Sequence, residues 1–149
     1  MKTITLLLSG LTIAITACTQ PEPPQNVKST FEKLFTNAQK VTWSRENNTE
    51  WEAEFKLGDS RMSSNFDDSG KWLETEKALK KKDLPLPVMN TVRDQFPGYR
   101  LKEPEQVEKP GFKGYEAELE KGEKTLEVVF NSDGSLQTSQ ILEKNEDKD

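Results

Sequence analysis

The side chains able to do chemistry are few. No histidine occurs in the 149 residues and Cys18 is the only cysteine, which removes the commonest general base and every Ser-His or Cys-His nucleophile. No serine is followed three positions later by a lysine, so a lysine-activated serine on a helix is absent as well. Catalysis would have to rest on carboxylates. Glu52 with Glu54, and Glu116 with Glu118, are spaced i, i+2, which on a strand puts each pair on one face about 6.5–7 Å apart. Such pairs act as acid and base when burial separates their pKa values. Here they alternate with Trp51, Ala53, Phe55 and with Tyr115, Ala117, Leu119. That is the pattern of a solvated sheet face, so the chain reads as non-catalytic.

Metal and cofactor chemistry finds no footing. Asp67-Asp68-Ser69-Gly70 and Asn131-Ser132-Asp133-Gly134 place oxygen ligands beside a glycine, but the twelve-residue calcium loop with a terminal bidentate glutamate is missing. Tight turns explain both segments. Zinc would lack both histidine and a second thiol. No cofactor and no metal are expected.

Cys18 has a different role. Lys2, the apolar run from Ile4 to Ile15 and the small residues Thr16-Ala17 read as an export signal over residues 1–17, too short to span a bilayer, which wants about 20 residues. Ile15-Thr16-Ala17-Cys18 has the form of a bacterial lipobox, in which the sulfur carries a diacylglycerol and becomes part of the new amino terminus. The expectation is a lipid anchor at Cys18 and a tether over 18–25 containing Pro21, Pro23 and Pro24. With that thiol consumed, no internal disulfide can form and stability must come from the core. The acidic side chains number 26 against 21 basic, a surface that repels nucleic acid and anionic lipid heads. The charged tail, 143–149, reads as a solubilising end.

The elements that position these residues follow from periodicity. Val27, Phe31, Leu34 and Phe35 form a helical stripe. The period then falls to two through Val41/Trp43, Trp51/Ala53/Phe55/Leu57 and Met62/Ser64/Phe66, with a last strand from about Lys71 to Glu76. A second helix from about Pro87 to Phe96 carries Val88, Val92 and Phe96, and strands follow near 101–107, 114–120, 125–131 and 136–141. Trp51, Gly58, Met62, Phe66 and Gly70 are echoed at a constant offset by Tyr115, Gly122, Leu126, Phe130 and Gly134. The expected fold is therefore α+β, a tandem duplication of a helix plus four-stranded antiparallel meander, with helices packed on one face. The units are placed at 26–76 and 85–142, with a lysine-rich connector at 77–84. Trp43, Trp51 and Trp72 read as core rather than as a stacking platform, with the strand phase at Trp72 ambiguous.

Phe31-Glu32-Lys33-Leu34-Phe35 through Val41-Thr42-Trp43, Trp51-Glu52-Ala53-Glu54-Phe55, Phe66 to Glu76, Asp83-Leu84-Pro85, Tyr115 to Leu119 and Phe130 to Gly134 together resemble the PepSY-like proteins, small exported bacterial proteins also described as similar to the β-lactamase inhibitor protein. The likeness spans about Val27 to Ile141. It implies tandem helix-plus-four-strand units whose sheet faces form a surface that, in the inhibitor branch, grips another protein. The chain departs from that branch in lacking a pair of cysteines to cross-link, and no inhibitory loop aligns with it. The function expected is an exported, lipid-anchored envelope protein, periplasm-facing, whose open sheet face binds a protein or peptide, in the manner of an inhibitor of a hydrolase or protease. The candidate face comprises Glu52, Glu54, Arg61, Ser63, Asn65, Glu116, Glu118 and Glu127. The alternative is a periplasmic binding protein for a small molecule or glycan, using aromatic residues between the units.

Overall fold

The computed structural model describes residues 22–142. The export signal expected at 1–17, the anchor expected at Cys18, the start of the expected tether and the tail at 143–149 lie outside the described residues. Two helices, α1 (Gln25–Leu34) and α2 (Leu86–Gln95), and eight strands make up the rest: β1 (Gln39–Arg45), β2 (Glu50–Leu57), β3 (Ser60–Asp67), β4 (Trp72–Ala78), β5 (Arg100–Lys109), β6 (Phe112–Lys121), β7 (Lys124–Asn131) and β8 (Leu136–Leu142). All eight strands pair in sequence order in a single antiparallel sheet.

That sheet corrects the expected architecture. The chain is α+β, but it is not a tandem of two helix-plus-four-strand units. Thr75, Glu76, Lys77 and Ala78 of β4 pair with Glu108, Val107, Gln106 and Glu105 of β5, and Leu79 N–H donates to the Pro104 carbonyl at 2.8 Å. The inner edges, β4 and β5, that two separate units would leave open are thus paired with each other. The connector expected at 77–84 shrinks accordingly, since Lys77 and Ala78 belong to β4 and Lys81–Asp83 forms a turn of 3-10 helix. The echo in sequence reports a shared strand pattern, and it is silent on whether neighbouring edges join.

One face of the sheet carries the core. Trp51, Ala53 and Phe55 of β2 and Phe66 of β3 pack with Val27 and Phe31 of α1; Leu119, Val128 and Phe130 pack with Val88 and Val92 of α2. Phe31 is the hub of the first cluster, with the rings of Phe55, Trp43 and Phe35 centred 5.0, 5.2 and 5.3 Å away. The helical stripe is shorter than expected, because Leu34 is 52% exposed and Phe35, just past the helix, takes over by packing on Phe55 at 4.6 Å. All three tryptophans join this cluster. The indole N–H of Trp51 donates to Asp68 Oδ1 at 2.9 Å and that of Trp72 to Thr75 Oγ1 at 2.9 Å.

Both acidic turns are closed by their own side chains and dock the helices. Asp67 Oδ1 accepts from Ser69 N–H and Lys71 N–H at 2.8 and 3.0 Å, and Asp133 Oδ1 from Ser135 N–H at 2.9 Å. Asn26 then donates to the Asp68 carbonyl and Thr91 to the Gly134 carbonyl, at 3.1 and 2.6 Å. Gly134 sits at φ +86°, and a Cβ there would lie 2.5 Å from Pro87 Cβ at the start of α2. Gly122 has φ +62° with open space around it. Gly134→Ala is therefore expected to lower the unfolding free energy by about 3 kcal/mol, combining left-handed strain with overpacking, and Gly122→Ala by about 1 kcal/mol from strain alone. Urea denaturation of the two variants checks the difference.

Candidate functional site

The register fixes what stands on the face away from the helices. Ser44, Glu52, Asn65 and Glu74 lie side by side across β1 to β4. One step along, Thr42, Glu54, Ser63 and Glu76 form the next row, which crosses to Val107 and Gly114. Ala78, Glu105, Glu116 and Val129 make a third row, and Lys102, Glu118 and Glu127 a fourth. Arg61 pairs with Lys56 at the end of the β2–β3 hairpin. All the residues singled out from the sequence on this face thus share one side of one sheet. Their surroundings differ: Glu54 and Arg61 are exposed, Glu52, Ser63, Glu116, Glu118 and Glu127 are half-buried, and Asn65 is buried at 8% exposure.

Sequence reasoning missed Glu74, Glu76, Glu105 and Lys109, which complete the arrangement. A cavity of about 250 Å³ opens at the β4–β5 seam, lined by Glu46, Glu52, Asn65, Glu74, Glu76, Lys109, Glu116 and Glu127. A second hollow of about 370 Å³ adjoins it around Glu54, Arg61, Ser63, Glu76 and Glu105. Lys109 Nζ lies 2.6 Å from Glu74 Oε2, an ion pair at hydrogen-bond distance. Ser44 donates to Glu52 at 3.3 Å and Ser63 to Glu76 at 3.0 Å. Neither serine brings a positive charge.

Crowding raises the carboxylates. Burial, then repulsion from Glu127 and Glu76, pushes Glu116 up to about 7. Burial, with Glu76 and Glu103 nearby, pushes Glu105 up to about 7 as well. Burial raises Glu52, Glu76 and Glu118 in the same direction, with Glu46, Glu74 and Glu103 respectively adding repulsion. For Lys109, burial disfavours the ammonium, but Glu74 with Glu116 and Glu76 outweighs it and raises the pKa. Titratable carboxylates near neutrality are what acid–base catalysis uses; a positive charge among them would equally relieve their repulsion. Among the described residues no group of three or more acidic side chains is arranged to hold a metal ion.

The sign of the pH dependence follows. Between about pH 4.5 and pH 7 the native state holds protons on Glu105 and Glu116 that the unfolded chain has released, so stability falls as pH rises through that window. Asp67 and Asp133, lowered by their turn hydrogen bonds, act oppositely, and their contribution is lost as pH falls below the ordinary carboxylate range. The melting temperature is therefore expected to be higher near pH 5 than near pH 8, and Glu116→Gln to raise it near pH 8 and flatten the slope. Thermal melts of both proteins across that range provide the check.

A family model described as "Putative beta-lactamase-inhibitor-like, PepSY-like" matches residues 49–138. Among solved structures, a BLIP-like protein of Bacteroides fragilis superimposes with a TM-score of 0.74 at 20% identity, over 87% of this chain and 93% of that one. A DUF2874 family protein of Bacteroides ovatus does so with a TM-score of 0.75 at 22% identity, over 85% and 93%. A protein of Bacteroides eggerthii described as among "putative periplasmic proteins" does so with a TM-score of 0.72 at 16% identity, over 81% and 90%. At these identities the likeness establishes the fold. None of the curated proteins matches the chain. The family match covers β2 through β7 and the start of β8, including every open-face carboxylate of the cavity except Glu46, and the chain belongs to the PepSY-like family.

Proposed function

We propose that the chain is a non-catalytic protein of the bacterial cell envelope, exported and held to a membrane through lipid on Cys18, that binds a protein or peptide with the open face of its sheet. The observation that carries this reading is the asymmetry of the sheet. Both helices pack on one face, and the other presents half-buried carboxylates that outnumber the cations among them. An inhibitor of a hydrolase is the form of binder that the family's description suggests, and a protease is the other target class this reading admits. The periplasmic description of the Bacteroides eggerthii protein supports an exported address. The alternative, a glycan or small-molecule carrier built on aromatic stacking, loses its support because Trp43, Trp51 and Trp72 belong to the helix-side cluster.

In-cell crosslinking of the full-length protein followed by mass spectrometry tests this reading. One abundant envelope partner is expected, with crosslinks confined to the open-face ends of β2, β3, β6 and β7, and Cys18→Ala should release the protein from the membrane. Crosslinks scattered over α1 and α2, or none beyond neighbouring lipoproteins, would overturn it.

A further inference from the structure

The cavity at the β4–β5 seam has a chemistry narrower than general acidity. Its walls come from β2 through β7, and they offer acceptors: the carboxylates of Glu52, Glu74, Glu76, Glu116 and Glu127 and the amide of Asn65. Lys109 is the one cation among the lining residues, and it is already committed to Glu74. One group stands out as unfulfilled. Asn65 is 8% exposed, faces the cavity, and takes no part in the side-chain hydrogen bonds of this face, which run from Ser44 to Glu52, from Ser63 to Glu76 and from Gln140 to Glu127. Glu74 Oε2, also buried, is already held by Lys109 at 2.6 Å. Buried polar groups are ordinarily satisfied, and one left open beside an accessible cavity marks where a donor is missing.

We propose that this cavity binds a primary ammonium group on an unbranched alkyl chain, delivered as a lysine side chain of the partner segment that lies across the sheet. The inference rests on the open-face reading above and names the group recognised. An ammonium carries three donors that radiate from one point and accepts nothing, which suits acceptors arriving from several strands around a small volume. A guanidinium is a flat fork that seeks one carboxylate edge-on in two parallel bonds, and the acceptors here are spread across neighbouring strands, roughly 5 Å apart at the backbone. The volume of about 250 Å³ leaves room for the alkyl stem, which buries its methylenes while the head stays among the carboxylates. Entry of the charge would compensate Glu52, Glu76 and Glu116 together and give Asn65 its donor.

The test is a titration of the full chain in non-ionic detergent, near pH 8 and at low salt, followed through the side-chain amide resonance of Asn65. The probes are a blocked glycine-rich pentapeptide with a central lysine, the same peptide with norleucine or arginine in its place, spermidine, and calcium chloride. The lysine peptide is expected to shift the Asn65 resonance saturably, the norleucine peptide to bind about tenfold more weakly, and Glu116→Gln to weaken the lysine peptide by a similar factor. Because Glu116→Gln removes repulsion, it is expected to remain folded, and Asn65→Leu serves as a second variant read by calorimetry. Equal binding of the norleucine and lysine peptides would overturn the proposal. So would tighter binding of the arginine peptide, of calcium, or of spermidine by an order of magnitude, the last assigning the cavity to a free polyamine. A crosslinked partner on the open face whose contact contains no lysine would sink this inference while leaving the open-face reading intact; absence of any partner would sink the reading itself.

Discussion

Four residue pairs between β4 and β5 hold the rest of the structure to account. Without that seam, β4 and β5 would each present an unpaired edge, a ready site for pairing with other chains. With it, eight strands form one surface, and carboxylates from residues 52–76 meet those from residues 105–127 on the face away from the helices. Glu76 is the hinge of this meeting. It lies opposite Val107 across the seam and contributes to raising both Glu105 and Glu116.

The two faces are energetically opposed. On the helix side, Phe66, Phe130, Leu119 and Val128 are wholly buried, each worth roughly 1.5–3 kcal/mol relative to exposure. On the open side, carboxylates are brought together under partial desolvation, which disfavours their charged forms. The core stabilises the fold and tolerates the strain of the other face. A strained, like-charged face is characteristic of a functional surface, where natural proteins accept lower stability. Covering it with opposite charge would relieve in the complex what is unfavourable in the free protein.

Much of this was legible in the residues. The alternation of Trp51 to Leu57 and of Tyr115 to Leu119 assigned Glu52, Glu54, Glu116 and Glu118 to the face opposite the core, and the stripes Val27/Phe31 and Val88/Val92 located both helices. The seam was not legible, because strand pairing is long-range and the lysines at 77–82 disguised the end of β4 as a connector. Glu74 and Glu76 were hidden by an irregularity: the register shifts between Asn65 and Phe66, so Trp72 joins the core side while Glu74 and Glu76, which counting by twos would place with it, turn to the open side. A second shift between Lys102 and Glu105, with Glu103 at φ +40°, obscured Glu105 and Lys109 in the same way. The missing half of the cavity was therefore the half that bulges re-aim.

The central claim is that the seam brings carboxylates of both parts of the sheet into one electrostatic unit. Carbon-detected NMR titration of the Glu116 side-chain carboxyl, in the native protein and in Glu76→Gln, tests it most directly. A midpoint near 7 in the native protein that falls toward the ordinary carboxylate range in the variant is the predicted result. An ordinary midpoint in the native protein, or one near 7 that Glu76→Gln leaves unmoved, would contradict the account.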